Sequence, residues 1–375
     1  MCGIVGAVSE SRAIDRRSIE SAANAIRHRG PDGEGCMATD RVAFAHRRLA
    51  IIDLDSGQQP MQTQDGRYWI AFNGEIYNYK DLKPELEKKY LFKTDSDTEV
   101  LLNLYREYGR NCLQKLRGMF AFAIYDHERE ELFIARDHLG QKPLYYWHHD
   151  DGLAFASEIK SLLVLEPKLR VMNPEALYEY LTVRIITPPR SMYKDIDKLA
   201  PGHLLLYRKG ELVIDKYWSL DYSTKVQGDL REVTSQLDTA LQETVKYHLV
   251  SDVPVGAFLS GGIDSGLIVA AMRGLGSESF DTFTGDVDYK VHSELPYAEQ
   301  LSKRYNTRNH VLSFTPKLVE SLPDILWHLD EPSDSLSVAM YYICRLAKQH
   351  VKVILGGDGG DELFGGYDRY YGNVY

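Results

Sequence analysis

The chain has 375 residues, of which 44% are hydrophobic and 26% charged, and its net charge is −10. That length supports two or three domains with separate cores, and the composition is ordinary for a soluble globular protein. The acidic balance argues against a general nucleic-acid binder, and no stretch approaches the roughly 20 apolar residues of a membrane helix.

The N-terminus, Met1-Cys2-Gly3, has no basic region followed by a long apolar one, so no secretory leader is expected. Cys2, Cys36, Cys112 and Cys344 are scattered without metal-ligand spacing, which fits free thiols in a reducing cytoplasm. Residues 2–8 are apolar and predict a strand. Once Met1 is removed, Cys2 becomes the N-terminal residue, and its own α-amine, with a pKa near about 8, can act as base for its thiol. A buried cysteine at a strand end is the simpler alternative for that residue alone.

Residues 18–26 predict a helix, followed by the punctuated loop Arg27-His28-Arg29-Gly30-Pro31-Asp32-Gly33. Residues 44–53 predict a strand entered by basic side chains. A strand over 68–72 ends in Asn73-Gly74-Glu75-Ile76-Tyr77-Asn78, where Asn-Gly by itself signals a hairpin turn. Ser96 or Asp97 caps a helix over 100–108. Residues 118–126 predict a buried strand, 131–136 its hairpin partner, and 136–146 a polar turn that enters another strand. Many strands and few helices predict layered sheets flanked by helices.

The motifs Cys2-Gly-Ile-Val-Gly, Arg-His-Arg-Gly-Pro-Asp-Gly, Arg-Leu-Ala-Ile-Ile-Asp, Phe-Asn-Gly-Glu-Ile-Tyr-Asn and Ser-Asp-Thr-Glu-Val fall in this order before residue 101. Together they resemble the class II glutamine amidotransferase domain, in the form carried by glutamine-hydrolysing asparagine synthetases. The resemblance implies an N-terminal-nucleophile αββα sandwich over residues 1–218. It implies Cys2 as nucleophile, with the Asn73 side chain and the Gly74 N–H as oxyanion hole. It implies Arg48 and Asp97 on the α-carboxylate and α-ammonium of glutamine, and Leu49, Ala50, Ile51, Ile52 and Glu75 completing the pocket. His28 and His46 are left as loop or core residues.

Helices are predicted from about 156 and over 175–181, and a hairpin turns at Arg208-Lys209-Gly210. The polar stretch 219–228 predicts a linker, with the domain boundary near 218–230. Val233, Leu237, Leu241, Val245 and Leu249 recur in steps of four, an amphipathic helix. The apolar run 253–259 leads into Ser260-Gly261-Gly262-Ile263-Asp264-Ser265 and a helix. Such a strand–loop–helix aims backbone N–H groups at an anion, while Asp264 suits Mg²⁺. It lacks the Lys of the Gly-x-x-x-x-Gly-Lys-[Ser/Thr] phosphate loop. Strands at 280–285, 309–314 and 351–355 alternate with helices at 296–305, 316–327 and 337–350, which predicts an α/β parallel sheet with ligands at the strand C-terminal ends. The last strand enters Gly356-Gly357-Asp358-Gly359-Gly360-Asp361-Glu362, read as a second wall of a nucleotide site in which Asp264 and Asp361 share Mg²⁺.

This half, with Asp330-Glu331-Pro332, resembles the pyrophosphate-loop synthetase domain of the same family, over residues 230–375. The resemblance implies ATP bound by Leu259, Ser260, Gly261, Gly262, Asp264, Ser265, Thr284, Gly356 and Gly357, with Asp358 as the base assisting ammonia. It implies glutamine, aspartate and ATP as substrates of a cytoplasmic, homodimeric enzyme that makes asparagine, AMP, pyrophosphate and glutamate, without nucleic-acid or membrane partners. Gly266 stands where the family more often has Ser, the segment at Thr284 is one residue short, and Asp358 replaces Glu of some members. The family pattern continues past Tyr375, so a truncated synthetase domain is expected. Two alternatives stay open: amidation of another carboxylate, such as a sugar acid or a modified peptide, or a glutaminase with an inactive synthetase half.

Overall fold

The computed structural model describes residues 1–277, 279–287, 293–315, 317–333 and 336–371. The first half runs β1 (Gly3–Ser9), α1 (Arg16–Ala25), β2 (Gly33–Ala38), β3 (Val42–Arg48), β4 (Met61–Gln62), β5 (Tyr68–Ile76), α2 (Tyr79–Leu86), α3 (Asp97–Tyr108), β6 (Gly118–Asp126) and β7 (Glu131–Arg136). It continues with β8 (Tyr145–His149), β9 (Gly152–Ala156), α4 (Ile159–Leu165), α5 (Pro174–Val183), β10 (Asp197–Lys198), β11 (His203–Arg208) and β12 (Glu211–Lys216). The second half holds α6 (Leu230–His248), β13 (Val255–Phe258), α7 (Ile263–Gly274), β14 (Asp281–Val287), α8 (Leu295–Tyr305), β15 (Arg308–Phe314), α9 (Leu318–Leu329), α10 (Leu336–Ala347), β16 (Val353–Leu355), α11 (Gly360–Phe364) and α12 (Asp368–Tyr371). The helix start expected at Pro316 lies outside the described residues.

Two units emerge. The first contains Met1–Ser223 and, from far along the chain, Leu326–Ser333. It is built on two six-stranded sheets, ordered β10-β8-β9-β1-β3-β2 and β12-β11-β7-β6-β5-β4, with antiparallel ladders throughout. The period-two alternation of β1 explains its double burial. Ile4 and Val8 enter the core between the sheets. Val5 faces Ile19, Ala22 and Ile26 of the α1 region and Ile159 and Leu162 of α4. On the outer side of the other sheet, α3 packs on β5 and α2 packs on α3. The order of layers is thus helix, sheet, sheet, helix.

Between the sheets, Phe44 and Phe155 are fully buried and meet edge to face with centroids 5.4 Å apart. Gly6 makes room for them, since a Cβ there would stand 2.3 Å from the Phe155 ring. Phe155→Ala would leave a void in a close-packed interior. We expect it to lower stability by about 3–5 kcal/mol, read as a lower denaturation midpoint at unchanged m-value.

Two expectations shift. The strand read at 44–53 begins at Val42 and ends at Arg48, because residues 49–57 turn around the Arg48 guanidinium. Asn73-Gly74 is no turn: β5 runs on through Ile76, and both residues pair with β6, Asn73 opposite Ala121 and Gly74 opposite Phe120. The ladder overrides the local turn preference.

The second unit covers Thr224–Ile325 and the described residues from 336 on. Its sheet is ordered β15-β14-β13-β16 and is parallel throughout. Val245, Ala257, Leu259, Val269, Met272 and Ala298 form one core cluster. Phe283, Ala347 and Val351 form another. Helix α6 starts with a capping box: Asp229 accepts from the Arg231 and Glu232 N–H groups, and the Glu232 carboxylate accepts from the Asp229 N–H.

Candidate active sites

The first candidate site lies where β1, β3 and β5 meet. Cys2 directly precedes β1. Its thiol accepts from the Leu49 N–H at 3.4 Å and donates to the Leu49 carbonyl at 3.7 Å. Burial raises the Cys2 thiol above its ordinary pKa, while the neighbouring terminal amine pulls it down. Burial also lowers the Met1 amine to about 5. A nucleophile here therefore depends on a base within the site.

Asn73 is fully buried, yet neither its side-chain oxygen nor its nitrogen has a hydrogen-bond partner. Leaving both ends of a buried amide unsatisfied costs on the order of 1–3 kcal/mol per group, and a bound polar ligand would remove that cost. Gly74 follows; a Cβ there would lie 2.2 Å from the Met119 carbonyl oxygen, so only glycine fits.

Glu75 and Asp97 supply buried carboxylates on the same side. Glu75 is raised to about 7, by burial first and then by the charge of Asp97. Asp97 is raised to about 6 by burial, against hydrogen bonds from the Ile76 and Thr98 N–H groups; the Ile76 bond is 2.9 Å. Ser96 caps α3 by accepting from the Thr98 N–H, which leaves Asp97 as its first helical residue. Arg48 is buried, and its guanidinium donates to the carbonyls of Ile52, Asp53 and Leu54. It shapes the loop bearing Leu49, Ala50, Ile51 and Ile52, and the Ala50 N–H is tied to Asp32 at 2.9 Å.

Sequence reasoning missed four contributors. Arg29 donates from Nε to the Cys2 carbonyl at 2.8 Å. Glu158 accepts from Arg29 Nη1 at 2.8 Å and contacts His28 Nε2 at 3.0 Å. Burial would raise Glu158, but His28, Arg29 and Lys160 outweigh it and hold the carboxyl at about 2. Lys142 is buried with its ammonium 3.1 Å from the Met1 sulfur, and burial lowers it to about 8. Asp137 accepts from the N–H groups of Phe120, Leu139, Gln141 and Lys142 and fixes the turn that delivers Lys142. The polar turn at 136–146 was the available signal for the last two. His46 is a core residue, buried with Nε2 3.0 Å from the Phe72 carbonyl; burial lowers it to about 3.

The second candidate site is at the C-terminal edge of the parallel sheet. β13 and β16 are neighbours, Val255 opposite Val353 and Ala257 opposite Leu355, so their following loops leave side by side. In the first loop, the Ser260 N–H donates to Ser265 Oγ at 3.2 Å and the Gly262 N–H to Ser260 Oγ at 3.2 Å. Gly261 has φ +89°, and a Cβ there would lie 2.8 Å from the Glu294 carbonyl oxygen. The acidic glycine loop presses on this one. A Cβ on Gly357 would stand 2.8 Å from Asp264 Cβ, and one on Gly360 would stand 2.6 Å from the Asp264 carboxylate. Asp264 is therefore brought against Gly357 and Gly360, on the loop that carries Asp358 and Asp361. Asp361 lies in the first turn of α11.

Thr284 takes a different place. It is buried, donates to the Leu259 carbonyl at 2.7 Å and contacts the Asn309 side chain at 3.0 Å. Its hydroxyl braces β14 beneath the loop. Among the described residues no cluster of three or more His, Cys, Asp or Glu side chains is arranged for a metal. Asp264 and Asp361 each supply a carboxylate oxygen of the kind Mg²⁺ takes, a hard cation that typically binds one or two carboxylates and fills its shell with phosphate and water oxygens. Among the described residues no helix is long and apolar enough to cross a membrane.

Comparison with known proteins finds two family matches, the glutamine amidotransferase domain over residues 1–218 and asparagine synthase over residues 236–374. The chain is 39% identical over 378 residues to asparagine synthetase [glutamine-hydrolyzing] 1 of Bacillus subtilis, covering 99% of this chain and 59% of that protein. It is 36% identical over 394 residues to a putative asparagine synthetase [glutamine-hydrolyzing] 2 of Methanocaldococcus jannaschii, covering 98% and 76%. It is 33% identical over 388 residues to asparagine synthetase B [glutamine-hydrolyzing] of Escherichia coli, covering 98% and 65%. The chain thus spans about three fifths of the length of the first of these relatives.

Proposed function

Because this chain belongs to the glutamine-hydrolysing asparagine synthetase family, we propose that it transfers the amide nitrogen of glutamine to aspartate at the expense of ATP. The observation that carries this reading is Asn73, a fully buried amide with no partner, one residue from a backbone that admits only glycine. That is the form of a preorganised oxyanion site.

With Met1 removed, the Cys2 α-amine takes the thiol proton, and the thiolate attacks the side-chain carbonyl carbon of glutamine. The oxyanion is held by the Asn73 side chain and the Gly74 N–H. Collapse expels ammonia and leaves a thioester, which water hydrolyses to glutamate. Asp97 holds the α-ammonium and Arg48 the α-carboxylate, with Glu75 and residues 49–52 forming the pocket wall.

In the second unit, the aspartate side-chain carboxylate attacks the α-phosphorus of ATP and pyrophosphate leaves. Ammonia then displaces AMP to give asparagine, with Asp358 as the base that takes its proton. Residues 259–265 and Gly356-Gly357 surround the nucleotide through backbone N–H groups and close backbone approach. Mg²⁺, held by Asp264 and Asp361, would supply charge neutralisation at the phosphates.

The test is pyrophosphate and asparagine release with glutamine, ATP and one carboxylate acceptor at a time. Aspartate alone among acceptors is expected to trigger release. Release with a sugar acid but not aspartate would replace the acceptor, and glutamate formation without pyrophosphate for any acceptor would leave only a glutaminase.

A further inference from the structure

The segment Leu326–Ser333 belongs to the first unit, although the chain on both sides of it is part of the second. Two buried carboxylates seat it. Glu331 accepts from the Met192 N–H at 2.7 Å, from the Tyr145 hydroxyl at 3.2 Å and from Lys198 at 2.8 Å. Asp330 accepts from the Lys160 N–H at 3.2 Å and pairs with the Lys160 ammonium at 3.0 Å. Its backbone has φ +63°, a left-handed conformation that a non-glycine residue adopts at some cost and that recurs at functional positions.

The two anchors differ in what lies behind them. Behind Glu331 are backbone and side-chain groups of the sheet-one edge. Behind Asp330 is a continuous line of buried charges. Lys160 pairs with Glu158 Oε2, and Glu158 Oε1 accepts from Arg29 Nη1 at 2.8 Å. Arg29 Nε in turn donates to the Cys2 carbonyl at 2.8 Å. The side chains of Arg29, Glu158, Lys160 and Asp330 are 8%, 6%, 11% and 8% exposed, so water screens this line little. The Trp327 ring lies 4.9 Å from the Lys160 ammonium and 4.9 Å from the His28 ring, which closes the line from one side.

We propose that Asp330 and Lys160 are positioning residues for the nucleophile: through Glu158 and Arg29 they fix the Cys2 carbonyl, and with it the direction in which the thiol is presented. This rests on the glutaminase reading of the Cys2 site. The segment carrying Asp330 is covalently continuous with the second unit on both sides.

Glutamine hydrolysis by the full chain tests it. Asp330→Asn is expected to lower kcat about tenfold with KM held within about twofold. Asp330→Glu should recover most of the loss. Glu331→Gln weakens the neighbouring anchor while Asp330 keeps its pair with Lys160, and should lower thermal stability at unchanged kcat. Adding Asp330→Asn to Glu158→Gln should cost nothing further, as expected for two members of one line. If Asp330→Asn does not fold, Lys160→Met against Lys160→Arg gives the same comparison. Wild-type kcat in Asp330→Asn, or an equal kcat loss in Glu331→Gln, overturns the relay. A wild-type chain that fails to hydrolyse glutamine overturns the glutaminase reading itself, a separable result.

Discussion

Cys2→Ala is expected to reduce glutamine hydrolysis by roughly 10⁴-fold or more, to the level of a bound but unattacked amide. The argument is chemical before it is comparative. In the proposed mechanism the thiol is the nucleophile and, with Met1 removed, its base is the amine of the same residue, so removing Sγ would remove both the attacking atom and the proton that the amine is to accept. None of the neighbouring Glu75, Asp97 and Lys142 side chains carries a thiol to attack in its place. The change is small sterically, and Gly3 and Ile4 continue into β1 as before. Asparagine formation from added ammonia should therefore persist at its wild-type rate. Loss of both activities together, measured as glutamate release and ammonia-dependent asparagine synthesis, would contradict two independent sites.

Asp264→Asn is expected to lower pyrophosphate release by about a hundredfold or more while glutamate release stays unchanged. The carboxylate stands in the first turn of α7, directly against the Gly357–Gly360 backbone. Asparagine keeps the shape and so should keep the packing. It removes the negative charge that, in the proposed site, would join Asp361 in drawing a divalent cation to the phosphates. Raising Mg²⁺ should recover part of the lost rate if cation affinity is the deficit, and a titration of rate against Mg²⁺ reads this directly. Wild-type pyrophosphate release in the variant would remove Asp264 from the site.

Much of this was legible in the sequence because the chemistry is carried by short contiguous motifs. Cys2 and the two glycine loops stood out from local pattern, Asn73, Gly74, Arg48 and Asp97 were named from the family resemblance, which also implied the antiparallel sheets, and the alternation of strands with helices pointed to the parallel sheet. What stayed hidden is what depends on distant partners. Arg29 and Glu158 are separated by 129 residues and Lys160 and Asp330 by 170, so nothing local marks them as paired. Asp330-Glu331-Pro332 was read as a synthetase-domain motif and lies within the asparagine synthase match, but that its carboxylates pair with lysines of the first unit was not legible. That the Thr284 hydroxyl donates to the Leu259 carbonyl and braces the sheet was likewise not legible.

The pairing of β13 with β16 has a consequence for how the second unit is made. These strands are adjacent in the sheet but lie at opposite ends of the unit's sequence, with β14 and β15 between them in the chain. Zipping β13 to β16 closes a long loop, the slow and entropically costly kind of contact. During synthesis, the strand–loop–helix around Ser260 is made early and waits. The pocket acquires its acidic wall only when residues beyond 353 have left the ribosome and docked. Nucleotide should therefore protect the completed sheet from unfolding and do little for nascent chains ending before β16.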